Sequence, residues 1–177
     1  MTSRTRTVVG VLGVLLLIFL GALGYAYFIE PQRLVINTQA LRINGWDPEF
    51  DDFRAVLISD IHGGSNGVDE AKIHQIVEAA NSQDADIIVL LGDFVSPQFA
   101  SSEPKMPMAE VADALSGLRA KDGVYAVLGN HDTSYGEKAV ASELTRVGIR
   151  VLDGEVAFIE RGGKRVRLLG LEDHMSS

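Results

Sequence analysis

Three apolar runs, each ending in a polar motif, restrict this chain more than any other feature. Arg54-Ala55-Val56-Leu57-Ile58-Ser59 leads into Asp60-Ile61-His62, Asp86-Ile87-Ile88-Val89-Leu90-Leu91 into Gly92-Asp93, and Val124-Tyr125-Ala126-Val127-Leu128 into Gly129-Asn130-His131-Asp132. Short continuous apolar runs read as strands buried on both faces of a parallel sheet. Between the first two, Ile73, Ile76, Val77 and Ala80 recur at helical spacing, and Asp69 is placed to cap that helix. A loop holding Pro97, Pro104 and Pro107 precedes a second helix, marked by Met108, Val111, Ala112, Leu115 and Leu118. A third helix is expected between Glu137 and Val147, stopped by Gly148, then a fourth strand Ile149-Arg150-Val151-Leu152. Residues 155–160 and 166–171 read as a hairpin turned at Gly162-Gly163. Alternating strands and helices with right-handed crossovers give a layered α/β core. All three polar motifs then fall at the C-terminal edge of the sheet, where open α/β folds bind ligands.

Ahead of this pattern, Thr7 to Ile29 carries no charge over 23 residues. As a helix rising about 1.5 Å per residue, that run crosses a bilayer core of about 30 Å. Residues 1–6, with Arg4 and Arg6, form a basic n-region, so a cleaved signal peptide is the alternative. The run is long for a signal sequence, and the small residues between Ala22 and Ala26 are followed by further apolar ones; an uncleaved anchor over 7–29 is therefore expected. The positive-inside rule keeps the N-terminus cytoplasmic and sends the rest of this single-pass protein to the extracytoplasmic side. Residues 30–52 read as a linker with an early strand at Arg33-Leu34-Val35-Ile36-Asn37.

The chain has 16 basic and 24 acidic residues, and a net charge of −8 argues against nucleic acid as a partner. It has no cysteine, which excludes disulfides, thiolate zinc sites and cysteine nucleophiles. What remains for chemistry is carboxylate, imidazole and amide. Asp60 and His62, two residues apart on a loop leaving a strand, can face one cation, and that donor pair suits Zn, Mn or Fe better than Ca or Mg. Asp93 beside Gly92 can bridge two ions. Asn130 offers a carbonyl oxygen to the second ion, and His131 can stabilise charge on a substrate or protonate a leaving oxygen. His74 lies beside the apolar stripe of the first helix and reads as structural, and His174 as part of a tail.

On these motifs the chain resembles the calcineurin-like metallophosphoesterase superfamily, whose pattern runs Asp-x-His, Gly-Asp, Gly-Asn-His-Asp/Glu, then a lone His and a Gly-His-x-His. The stretch from Ala120 to Asp132, ending GVYAVLGNHD, is similar to a membrane-anchored bacterial branch that includes enzymes resembling UDP-diacylglucosamine hydrolases. The likeness runs from about Arg33 to Asp173 and takes in Gly170-Leu171-Glu172-Asp173. It implies an α/β fold: the N-terminal half of a layered β-sandwich flanked by helices, formed by residues 53–177 and preceded by one transmembrane helix. It also implies two divalent metal ions (Mn, Fe or Zn), with Asp60 and His62 on the first, Asp93 bridging, Asn130 on the second and His131 as the catalytic residue assisting the leaving group. The reaction implied is in-line attack of a metal-activated hydroxide on a phosphate ester or lipid-linked pyrophosphate, without a covalent enzyme intermediate. The lone His and the Gly-His-x-His have no counterpart here.

Two readings follow. One is a membrane-tethered phosphoesterase, of which this chain is the N-terminal part. The other is a truncated, non-catalytic fragment that lacks the remaining metal ligands. A different phosphotransferase is disfavoured, because no GxxxxGK[ST] loop is present. An uncleaved anchor predicts that intact-mass spectrometry of the membrane fraction finds Thr7–Ile29 still attached. A mature chain starting beyond Ala26 would identify a signal peptide instead.

Overall fold

The computed structural model describes residues 2–98 and 101–171. The chain divides into two units, Met1–Ile36 and Asn37–Ser177. In the first, helix α1 (Ser3–Phe28) runs unbroken with no buried residue. Thr2 caps it, its hydroxyl accepting the Thr5 N–H at 3.4 Å. The segment Ser3–Gln32 is long and apolar enough to cross a membrane, a property that signal sequences share. The early strand expected at Arg33–Asn37 is not formed: residues 33–43 pair with no strand among the described residues. Extended backbone without a partner leaves its N–H and C=O groups to water, so β-propensity alone makes no ladder there.

The second unit runs β1 (Ala55–Ile58), α2 (Glu70–Asn81), β2 (Ile87–Leu90), β3 (Pro97–Gln98), β4 (Ser101–Pro104), α3 (Met108–Leu115), β5 (Val124–Ala126), α4 (Asn130–Arg146), β6 (Arg150–Val151), β7 (Val156–Arg161) and β8 (Lys164–Leu169). Strands β1, β2, β5 and β6 form one parallel sheet in that spatial order. A sheet whose order follows the chain, joined by crossovers of one hand, places every crossover helix on the same face. The core confirms this arrangement. Ile88, Leu90 and Ala126 point into a cluster with Ile73 and Val77 of α2, Val111 and Leu115 of α3, and Val140 and Leu144 of α4. On the opposite face, Ile87, Val89 and Tyr125 pack against Ala157 and Ile159 of the β7–β8 hairpin and against Phe50. The hairpin turns at Gly162 (φ 52°) and Gly163 (φ 75°), two successive left-handed positions that match the twist of its strands.

Two further sequence expectations need correction. Strand β1 is not buried on both faces: it is an edge strand among the described residues, and Leu57, beside Val89 on the hairpin side of the sheet, is 64% exposed because the hairpin does not extend over β1. The helix expected between Glu137 and Val147 is present as the second part of α4; a short helical stretch over 130–135 precedes it, because the Gly129-Asn130-His131-Asp132 motif is itself helical, and the two meet at a kink at Gly136 (φ 142°, ψ 90°). The proline-bearing loop contains the short β3–β4 pair, with Pro97 opposite Pro104.

At the N-terminal edge of the sheet, Arg161 ties the hairpin to the strands. Its guanidinium donates to Asp86 Oδ1 at 2.7 Å and also to Asp122, and it lies over the rings of Phe53 (5.1 Å) and Phe50 (5.8 Å). The Arg54 N–H donates to the other Asp86 oxygen at 2.6 Å. Burial works to raise the Asp86 carboxyl, but the Arg54 N–H and the Arg161 and Lys121 charges outweigh it and hold the group below its ordinary 3.8. A depressed carboxylate contributes stability that is fully present above its unfolded value and is lost as pH falls through its folded one. Arg161→Met should therefore cost about 2–3 kcal/mol in urea unfolding at neutral pH, a figure below that of a fully buried pair because Arg161 is partly exposed. In Asp86→Asn the loss of stability below about pH 4 should be shallower than in the parent. Equal acid limbs for the two proteins would refute the assignment.

Candidate metal centre

Past the end of the β1–β2 ladder the two backbones stay hydrogen-bonded to each other. The N–H groups of Asp60, His62 and Gly63 donate to the carbonyls of Gly92, Asp93 and Phe94 at 3.2, 2.9 and 2.9 Å. This pairing sets the Asp60-Ile61-His62 turn directly against Gly92-Asp93. Asp60 (φ 54°), His62 (φ 47°) and Asp93 (φ 57°) all adopt the left-handed conformation. Residues other than glycine rarely do so, and such strain gathers at functional sites. Ile61, between them, is buried at 3% exposure and anchors the turn in the helical-face core.

The third motif joins from α4. Gly129 and Gly92 lie back to back: a Cβ on Gly92 (φ 91°) would overlap the Gly129 backbone nitrogen, and one on Gly129 would overlap Asp93 Oδ1. Only the bare backbone lets these turns approach so closely. Across the contact, the His131 N–H donates to Asp93 Oδ1 at 3.0 Å.

His62, Asp93 and His131 bring one ligand atom each to within 4.8 Å of one another. The His62 and His131 rings stand 5.1 Å apart at 74°. His62 Nδ1 lies 3.2 Å from the Val95 carbonyl. A carbonyl can only accept, so the proton sits on Nδ1 and the Nε2 lone pair is left for a ligand. That Nε2 is 3.7 Å from Asp60 Oδ1 and 3.9 Å from Asp93 Oδ2, too far for hydrogen bonds. Two donors on one cation, at metal–ligand bonds of about 2.0–2.2 Å, stand about 3–3.5 Å apart, so a small closure would let these groups share an ion. The nitrogen and oxygen donors fit a borderline divalent metal.

Of the residues expected at the site, the structure thus clusters His62, Asp93 and His131 and sets Asp60 beside them, its side chain 63% exposed and its carboxylate accepting from the Ser59 hydroxyl. Asn130 opens α4 with an exposed side chain. His74 is exposed on α2, while Glu172, Asp173 and His174 lie outside the described residues. Sequence reasoning gave Asp132 no role, yet it is wholly buried. Its carboxylate accepts the N–H groups of Asp93 (2.7 Å), Phe94 (2.8 Å), Val95 (3.3 Å) and Gly129 (3.0 Å). Burial pushes the Asp132 carboxyl above its ordinary value against the pull of those donors. The available signal was its position: an acid three residues after Gly129 can reach back to cap the helix start.

Comparison with known proteins agrees with this geometry. Residues 53–169 match the Calcineurin-like phosphoesterase family. The chain is 26% identical, over 92% of its own length and 36% of the relative's, to a transmembrane protein with metallophosphoesterase domain from Danio rerio. It is 26% identical to the uncharacterized metallophosphoesterase YkuE of Bacillus subtilis (88% and 53% of the two chains) and 27% identical to an uncharacterized metallophosphoesterase of Aquifex aeolicus (80% and 50%). It spans between about a third and a half of the length of these relatives. With three motifs converging at one sheet edge and a family match across the whole α/β unit, the chain belongs to the calcineurin-like phosphoesterase family.

Proposed function

We propose that this chain carries the metal-binding edge of a phosphoesterase that hydrolyses a phosphodiester or pyrophosphate. The observation that carries the reading is the His62–Asp93–His131 cluster at the C-terminal edge of the parallel sheet. Divalent cations there supply Lewis acidity toward phosphoryl oxygens and acidify water. Asp60, His62 and Asp93 are assigned to hold a first ion, and Asp93 with Asn130 to hold a second. The His62 Nδ1–H bond to Val95 leaves its Nε2 free to hold the first ion. His131 is assigned to stabilise charge on the phosphoryl group and to return a proton to the leaving oxygen at its imidazole.

The finer reading is a lipid-linked substrate of the kind taken by UDP-diacylglucosamine hydrolase-like enzymes. It is supported by the apolar helix α1, acting as a membrane anchor, and by the GVYAVLGNHD likeness; a catalytic unit on the extracytoplasmic side would exclude a cytosolic nucleotide-lipid. A second reading is a non-catalytic chain that binds one ion, favoured by the single donor triad found among the described residues.

The test is hydrolysis of bis(p-nitrophenyl) phosphate by the full chain in detergent, with and without Mn²⁺. Activity should require the metal. His131→Ala should lower kcat by about 10²–10⁴-fold with little change in KM. Asp93→Asn should abolish turnover together with ion binding. Variants as active as the parent would remove the site assignment. One bound ion per chain in equilibrium dialysis, with no turnover, would select the second reading.

A further inference from the structure

The geometry points to Asp132 as the positioning residue of the metal centre, one carboxylate that sets the orientation of all three clustered ligands. This inference rests on the metal site proposed above but not on turnover.

Asp132 reaches each ligand by a separate path. Its Oδ2 accepts the Asp93 N–H at 2.7 Å, while Asp93 Oδ1 accepts the His131 N–H at 3.0 Å. The two turns are therefore laced in both directions, and Asp93 is held at φ 57° with its other oxygen turned toward His62. Asp132 Oδ1 accepts the Phe94 and Val95 N–H groups at 2.8 and 3.3 Å. Those same residues present their carbonyls to the Asp60-Ile61-His62 turn: Phe94 to the Gly63 N–H at 2.9 Å, and Val95 to His62 Nδ1 at 3.2 Å. Asp132 thus lies one residue behind the bond that fixes the His62 tautomer. His131 precedes Asp132 on the same helical turn, which the Gly129 N–H bond to Oδ2 closes at 3.0 Å.

Two donors on each oxygen are what an ionised carboxylate can satisfy and an amide cannot. In Asp132→Asn, whichever way the amide is turned, its NH₂ faces two backbone N–H groups. At least one tie, to Asp93 and Gly129 or to Phe94 and Val95, must open. Partners that orient metal ligands are typically worth about 10–100-fold in metal affinity.

The experiment is a Mn²⁺ titration of the full chain in detergent followed by electron paramagnetic resonance, with Co²⁺ absorption as a spectroscopic readout and circular dichroism as a check of folding. Asp132→Asn is expected to stay folded, to bind Mn²⁺ about 10–100-fold more weakly, and to show altered visible Co²⁺ bands. Asp132→Glu keeps the charge and both acceptor oxygens one methylene further out, and its affinity should fall between the two. It remains the deciding variant if Asp132→Asn does not fold. Asp69→Ala, which removes the α2 cap (Lys72 N–H, 2.8 Å), should lose stability without changing Mn²⁺ affinity. A folded Asp132→Asn or Asp132→Glu with parental affinity and parental Co²⁺ bands would overturn the positioning role alone. A parent that binds no Mn²⁺ would overturn this role and the metal site together.

Discussion

Everything at the candidate centre depends on two backbones continuing to hydrogen-bond after their strands have ended. Regular pairing of β1 with β2 stops at Ile58 and Leu90, yet the following residues stay linked through Gly92, Asp93 and Phe94. Parallel strands fix which residues lie side by side. Continuing the backbone bonds past that ladder holds the polar turns side by side too. His62 and Asp93 meet because their turns leave neighbouring strands and stay bonded, and the third motif enters because β5 lies on the other side of β2.

That arrangement is held against a conformational cost. Three residues of the two turns occupy left-handed backbone, each costing on the order of 1 kcal/mol or more outside glycine, with Asp the more tolerant type. Compensation comes from below and from behind. Ile61 and Phe94 are buried in the helical-face core, and the Asp132 carboxylate satisfies four backbone donors that would otherwise be buried without partners. At the far edge of the sheet, the Arg161–Asp86–Asp122 contact ties the second layer to the first.

The sequence displayed the sheet plainly, because its apolar runs are short, continuous and punctuated by glycine and aspartate. It also displayed the motifs, since Asp60, His62, Asp93, Asn130 and His131 stand at strand ends. What was not legible depends on neighbours distant along the chain. Leu57 sits in a run as apolar as that of β2, but only the place of β1 at the sheet edge leaves it exposed. The residues around Arg33–Asn37 have strand composition and, among the described residues, no ladder to join. The helix beginning at Asn130 was hidden by Gly136, which interrupts the periodicity that would have announced it. Asp132 drew no separate role from the sequence, and only its four donors reveal a buried hub.

The strand order has a consequence for how the molecule comes into being. Because spatial order equals chain order, each strand of the sheet can dock beside the one made just before it, and no gap has to be held open for a later arrival. The cluster needs only β1, β2, β5 and the start of α4, so all its parts have been synthesised once Asp132 has left the ribosome. The hairpin that covers the opposite face, and the Arg161 contact that fastens it, come afterwards. A nascent chain can therefore assemble its ligand-bearing edge while Ile87, Val89 and Tyr125 still face water, and that uncovered sheet face is the stage of synthesis at which aggregation threatens most.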